Sequence, residues 1–243
     1  MGNDSTMAYV GASDFDGDGK TDMSKFVSSN NSLWYYKSTT SAWDGLWLGS
    51  GTINTLVVGS DFDGDGKTDP AKFFASPDVL WYWSTKNSAW NGVYLGTETM
   101  TYVSGSDFDG DGKTDPAKYI PSTNVLWYLK STTGTWSGLY MGSDTTAYVA
   151  ASDFDGDGKT DPAKIISGGI LYYYSSLSSS WVGVSIGTGY TSYIAGCDFN
   201  GDGKTDPAKW TSSTHMLSWL NVGTGTWTNI DMGTDVGSIG NGQ

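Results

Sequence analysis

Short apolar runs recur along the chain, separated by stretches of Gly, Ser, Thr, Asn and Asp. The most apolar are Leu33 to Tyr36, Leu80 to Trp83, Leu126 to Leu129, Leu171 to Tyr174 and Leu217 to Leu220. Each follows a segment of Pro-Ala-Lys-aromatic type, such as Pro70 to Phe74 or Pro207 to Trp210. A second set opens on Trp43, Trp90, Trp136, Trp181 or Trp227 and closes at Gly49, Gly96, Gly142, Gly187 or Gly233. A third comprises Tyr9-Val10, Leu56-Val57, Tyr102-Val103, Tyr148-Val149 and Tyr193-Ile194. Short stretches rich in β-formers and bounded by turn formers predict strands. No stretch sustains a 3.6-residue apolar stripe, so helix should be scarce.

The strands follow a repeat. DFDGDGKTD begins at Asp14, Asp61, Asp107 and Asp153, and DFNGDGKTD begins at Asp198. A fixed period of about 46 residues signals a solenoid, propeller or array. Four strands per period make the unit of a propeller blade. The expected fold is therefore all-β: a five-bladed β-propeller with four antiparallel strands and one loop of acids per blade. One domain should span 1–243, with 234–243 as a tail. A single blade buries too little surface to stand alone, and five closing on one another would hide their faces. An open array or a piece of a larger ring is the alternative.

The repeated loop has the chemistry of a calcium site. In loop two, Asp61, Asp63 and Asp65 stand at positions one, three and five of a tight turn carrying Gly64 and Gly66. The carbonyl of Lys67 at position seven and the carboxylate of Asp69 at position nine can complete an oxygen shell. Calcium takes six to eight oxygens in loose geometry, whereas magnesium wants a rigid octahedron. The same positions are Asp14, Asp16, Asp18, Lys20 and Asp22 in loop one. They are Asp107, Asp109, Asp111, Lys113 and Asp115 in loop three. Loop four has Asp153, Asp155, Asp157, Lys159 and Asp161; loop five has Asp198, Asn200, Asp202, Lys204 and Asp206. An EF-hand needs a Glu at position twelve. Here that position is Lys25, Lys72, Lys118, Lys164 or Lys209.

These loops resemble FG-GAP or VCBS-type repeats, the calcium-loop blades of integrin α-subunit heads and of many secreted proteins. The family pattern, Asp-x-Asp/Asn-x-Asp/Asn-Gly-x-x-Asp, is matched by Asp14, Asp16, Asp18, Gly19 and Asp22, and likewise in the other loops. The resemblance implies a calcium ion between the first two strands of each blade. Family members are mostly seven-bladed. A count of five is instead similar to tachylectin-type lectins, from which sugar binding carries over only weakly.

Charge narrows the partners. Thirteen lysines and no arginine face 26 acids, for a net charge of -13. Clustered cations for nucleic acid or an anionic membrane are missing. The loops hold most of the acids, four in each of the first four and three in the fifth. Unscreened, such clusters are costly, and five Ca²⁺ would bring the net charge to about -3. Modest-affinity loops suit millimolar extracellular calcium, so an extracellular location is expected. Met1 to Val10 has neither the basic start nor the apolar stretch of a signal peptide.

Comparing repeats separates expected core from expected surface. Leu46, Val93, Leu139, Val184 and Ile230 are apolar throughout, as are Leu48, Leu95, Met141, Ile186 and Met232 two residues on; both sets should face inward. Between them lie Trp47, Tyr94, Tyr140, Ser185 and Asp231. A position that accepts Asp should face water, so Trp47, Tyr94 and Tyr140 are candidate sugar-stacking residues, or covers of the blade edge. Trp34, Trp81, Trp127 and Tyr172, with Ser218 in the fifth repeat, are expected in the core. So is the invariant Trp of each repeat. The loop and position-twelve lysines should balance local charge. Cys197 should be buried, and His215, the one His, could lie in an exposed loop. No nucleophile elbow, zinc spacing or phosphate loop is present, and acids outside the loops show no pairing. The expected function is a calcium-binding extracellular module, lectin-like in the first reading and not an enzyme. A protein-interaction or adhesion scaffold, or an accessory module of a larger secreted enzyme, is the alternative.

Overall fold

The structure is a computed structural model and describes residues 7–10, 13–53, 55–57, 59–149, 152–194 and 197–234. The expected tail beyond Thr234 lies outside the described residues. The chain is all-β, built from five four-stranded antiparallel sheets whose strands follow chain order, the topology of propeller blades. Blade one comprises β1 (Met7–Val10), β2 (Met23–Val27), β3 (Ser32–Lys37) and β4 (Ala42–Trp47). Blade two comprises β5 (Thr55–Val57), β6 (Ala71–Phe74), β7 (Val79–Ser84) and β8 (Ala89–Tyr94). Blade three comprises β9 (Thr101–Ser106), β10 (Asp115–Ile120), β11 (Val125–Lys130) and β12 (Thr135–Tyr140). Blade four comprises β13 (Thr145–Val149), β14 (Ala163–Ile166), β15 (Ile170–Ser175) and β16 (Ser180–Ser185). Blade five comprises β17 (Ser192–Ile194), β18 (Ala208–Thr211), β19 (Met216–Asn221) and β20 (Thr226–Asp231).

The chain falls into two compact units, 1–106 with 111–139, and 140–243 with 107–110. Each has its own core. In the first, Phe15, Leu33 and Leu48 form one cluster, and Val57, Phe62, Ala71, Phe73, Leu80 and Leu95 another. In the second, Phe154, Ala163, Ile165, Leu171, Tyr173 and Ile186 cluster, as do Ile194, Ala208 and Trp210. The loop phenylalanines anchor the acids to these cores. Phe15 stacks on Tyr35 at 4.4 Å, Phe62 on Tyr82 at 4.8 Å and Phe154 on Tyr173 at 4.8 Å. The alternation read along the fourth strands is present. Leu48, Leu95, Met141 and Ile186 are buried, and Trp47, Tyr94, Tyr140, Ser185 and Asp231 are exposed. Ile230 departs from its set and is 44% exposed. Blade five also replaces an aromatic at 231 with Asp, so β20 has less apolar cover.

Two sets of aromatics expected in the core lie at its margin instead. Trp43 and Trp136 are 43% and 36% exposed, and Trp34 and Trp81 are 40% and 37% exposed. Register explains the second pair. Trp34 pairs with Gly45 and Trp81 with Gly92 across β3–β4 and β7–β8. A Cβ on Gly45 would meet the Trp34 ring at 2.8 Å, on Gly138 the Trp127 ring at 3.0 Å, and on Gly183 the Tyr172 ring at 2.8 Å. Each ring lies flat over a glycine of its own sheet rather than wedging between sheets. Blade five changes both partners together. Ser218 faces Asn229 and donates a 2.6 Å hydrogen bond to it.

Cys197 is half-buried rather than buried, and burial pushes its thiol pKa up. His215 sits at a turn with φ of 54°, its ring centroid 6.3 Å from that of Trp210.

Candidate functional site

Each acidic loop is a compact turn. In loop one the glycines at 17 and 19 take φ of 81°, a region that L residues other than glycine rarely occupy. Their amides donate to Asp14 at 2.7 and 2.8 Å. Loops two, four and five repeat this on Asp61, Asp153 and Asp198. The position-nine acid is buried in every loop. Asp69 accepts from the amides of Phe62 and Asp63 at 2.9 and 3.1 Å, and Asp161 accepts from Phe154 and Asp155 at the same distances. This acid therefore bridges the loop's ends as well as facing its centre.

The sequence reading missed the loop's second wall, the turn between the third and fourth strands. Thr39 donates amide and hydroxyl hydrogen bonds to Asp16 at 3.0 and 2.7 Å, and Ser38 donates its hydroxyl to Asp18 at 2.6 Å. Ser84 bonds Asp63, and Thr85 bonds Asp65 and Asp69. In blade four Ser175 bonds Asp155 and Ser176 bonds Asp157. The Ser-Ser and Ser-Thr pairs at the ends of the first four blades' third strands were the available signal; blade five has Asn221-Val222 there. Acids need donors, and these hydroxyls lie about 20 residues downstream in every case.

The carboxylates converge as expected at positions one and three, but differently beyond. Asp61, Asp63 and Asp69, and Asp153, Asp155 and Asp161, each place three carboxylate oxygens within 4.8 Å of one another. In these loops position nine joins the group and position five, Asp65 or Asp157, turns to the neighbouring hydroxyl. Loop one groups Asp14, Asp16 and Asp18 instead. Within that group Asp18 also meets Lys20 at 2.8 Å, and this hydrogen bond with the one from Ser38 lowers its pKa to about 2. Loop three is divided between the units. Gly110 donates to Asp107 in the second, while Ser131 bonds Asp111 and Asp115 in the first. In loop five Asn200 donates to Asp206 at 3.3 Å, and no such carboxylate group forms there among the described residues. The lysines at position seven donate their amides to the position-five side chain, for example Lys67 to Asp65 and Lys204 to Asp202, both at 3.0 Å, and Lys113 and Lys159 likewise at 2.9 Å.

The loops fit a metal ion. The donors are hard oxygens, and Asp16 Oδ1 is buried without a hydrogen-bond donor. Burial, with Asp63 and Asp61 nearby, pushes Asp69 up to about 6; burial and Asp155 push Asp161 up to about 7. These acids carry their charge at a cost when no cation faces them. The folded pKa exceeds the unfolded value near 3.9, so the associated stability is complete below about pH 4 and lost as pH rises through 6 to 7. The metal-free protein is therefore expected to melt higher at pH 5 than at pH 7.5 in EDTA, as read by circular dichroism. A metal-free melting temperature that falls on acidification over that range would contradict this assignment.

Beside the loops runs a second repeated feature, also unexpected. The position-twelve lysines do more than balance local charge, which Lys118 and Lys164 do by pairing with Glu98 and Asp144. Lys72, Lys118 and Lys164 are buried. Their ammonium groups lie over the invariant Trp of the same blade: Lys25 over Trp43 at 5.0 Å, Lys72 over Trp90 at 4.3 Å and Lys118 over Trp136 at 5.2 Å. Lys164 lies 5.3 Å from Trp181 and Lys209 lies 4.4 Å from Trp227. Lys72, Lys118 and Lys209 also donate to the carbonyls of Leu48, Leu95 and Ile186, at the end of the preceding blade. Such a group is attracted to the ring's electron-rich face, more strongly when desolvated. Trp47, Tyr94 and Tyr140, exposed by 61%, 55% and 59%, stand at the ends of the fourth strands on this aromatic side.

No protein-family model matches the chain, and no curated protein matches it in sequence. Solved structures do resemble it. A virginiamycin B lyase from Staphylococcus aureus with quinupristin aligns over 97% of this chain and 72% of its own, at TM-score 0.57 and 9% identity. BBS1N in complex with ARL6DN aligns over 92% and 64%, at TM-score 0.52 and 11% identity. A chain of the mitotic checkpoint complex aligns over 94% and 65%, at TM-score 0.54 and 9% identity. The protein thus spans just under two thirds of the last two chains. At these identities the likeness is one of fold, the β-propeller, with five blades in this chain.

Proposed function

We propose that the protein is a calcium-binding β-propeller of FG-GAP/VCBS type that acts outside the cell as a lectin-like binding module rather than an enzyme. The observation that carries the reading is the exposure of Trp47, Tyr94 and Tyr140 at one strand position, beside tryptophans that lie flat on glycine. Flat, exposed aromatic faces offer apolar contact to the C–H side of a pyranose. The residues that would hold calcium are the loop acids at positions one, three, five and nine, with the carbonyls of Lys20, Lys67, Lys113, Lys159 and Lys204. Calcium would supply fixed positive charge, and the chain's own residues would then present the aromatic faces. More than one such site on a chain gains by multivalency on a dense surface.

A glycan array probed in millimolar calcium and again in EDTA is expected to give calcium-dependent hits on a related set of sugars. Alanine at Trp47, Tyr94 and Tyr140 together should weaken them at least tenfold. Silence from folded, calcium-loaded protein would favour the second reading, a protein-interaction scaffold or accessory module of a secreted enzyme. Two of the structural neighbours belong to protein complexes, and exposed aromatics also suit a protein partner.

A further inference from the structure

The spaces beside successive blades differ in charge. A cleft of about 510 Å³ lies between the end of β8 and the third blade. Tyr94, Trp127 and Trp136 line it with Thr123 and two charged groups, Glu98 and Lys118. These two meet at 3.4 Å, with Lys118 10% exposed and Glu98 54% exposed. Lys118 is pinned by the Leu95 carbonyl and the Trp136 ring. Glu98 accepts from Lys118 and from the main-chain amides of Thr97 and Glu98, and with its side chain half exposed it keeps acceptor capacity toward the cleft, since a carboxylate offers about four sites. The cleft therefore asks for a ligand with an apolar face and hydroxyl donors. A cation would meet Lys118, and an anion would meet Glu98. A neutral pyranose satisfies both conditions.

The neighbouring space in the first unit, about 500 Å³, lacks this pair. Gly51, Phe74 and Pro77 line it where Glu98, Ile120 and Thr123 line the other. Among the described residues of the second unit the pair recurs once; the blade-five equivalent, Asp235, lies outside them. Asp144, 55% exposed, lies 2.9 Å from Lys164, which is 11% exposed and sits 5.9 and 5.3 Å from the Tyr172 and Trp181 rings. Gly189 then occupies the equivalent position, and Lys209 bonds the Ile186 carbonyl at 2.5 Å.

We propose that neutral sugars bind at two positions, marked by the Glu98–Lys118 and Asp144–Lys164 pairs, and not at five equivalent sites. Glu98 and Asp144 are the hydrogen-bond acceptors that select hydroxyl-bearing ligands. The proposal rests on the glycan reading above.

The test is fluorine NMR of the full calcium-loaded chain labelled with 5-fluorotryptophan, titrated with methyl glycosides of neutral hexoses and N-acetylhexosamines. Signals are assigned by single Trp→Phe variants. The Trp127, Trp136 and Trp181 signals should shift and saturate, while Trp90 and Trp227 stay still. Glu98→Gln should weaken the response at Trp127 and Trp136 at least tenfold and leave Trp181 moving. Asp144→Asn should do the converse. Sialic acid and glucosamine should bind at least tenfold more weakly than the neutral glycosides. Shifts at all five strand-four tryptophans, or unchanged titrations in the two acid variants, would overturn the two-site proposal and leave the lectin reading standing. If no glycoside in the panel moves any signal, both fall.

Discussion

Stripping the protein with EDTA is expected to lower its melting temperature by about 10 °C or more relative to millimolar calcium. A ligand at 100 times its Kd stabilises the folded state by about 2.7 kcal/mol per site. For a domain of this size about 1 kcal/mol corresponds to roughly 2–4 °C, so two or three loaded loops already exceed the threshold. The effect should be large because the loops are not ornaments on a finished sheet. Buried Asp22, Asp69, Asp161 and Asp206 tie loop amides to the blade, and Phe15, Phe62, Phe154 and Phe199 beside the first acids stack on aromatics of their own blades. Calcium would offset the burial and the neighbouring charge that raise Asp69 and Asp161, with no rearrangement of the turn behind them. Scanning calorimetry with both additives reads the result. Coincident melting curves would show that hydroxyls and amides alone satisfy the acids.

The second large effect concerns the ring-on-glycine pairs. Gly45→Asn is expected to destabilise blade one by about 1–3 kcal/mol, because the new side chain would enter the volume of the Trp34 ring. Combined with Trp34→Ser, the same change should cost less than the two single changes summed, by about 1 kcal/mol. The double variant recreates the Ser218–Asn229 pair that blade five already uses. Urea denaturation of the four proteins closes the cycle. Strict additivity would mean that the ring and the glycine are independent, contrary to their register.

Much of the architecture was legible because a near-exact period carries the same chemistry five times. The turn glycines, the acids and the third-strand leucines each recur at one offset, and their partners lie within a few residues. What escaped detection depended on residues far apart in sequence. The charge balance expected of the lysine at position twelve is present at Lys118 and Lys164, but its other partner, a main-chain carbonyl of the preceding blade, is marked by no side-chain pattern. The invariant tryptophan was assigned to the core because apolar invariance usually means burial. Here it means a partner for that lysine. The hydroxyls that face the acids were visible as Ser-Thr pairs but unassigned, since only the sheet register brings the third turn over the loop. For Trp34 and its equivalents, the paired change to Ser218 and Asn229 was in view, yet without register it read as drift.

The threonine after each loop lysine has a consequence for how such a chain can be lengthened or cut. Thr68 accepts the Asp14 amide on its hydroxyl and donates its own amide to the Asp14 carbonyl, at 3.0 and 2.6 Å. Thr114 does the same to Asp61 and Thr205 to Asp153, and the Thr160 amide donates to the Asp107 carbonyl. Each of the first four loops is thus completed by an atom from the following repeat. The cooperative module is out of phase with the sheet. A truncation placed neatly between two sheets leaves a half-made joint at its C-terminal end. One that carries the next Gly-Lys-Thr with it keeps every joint whole.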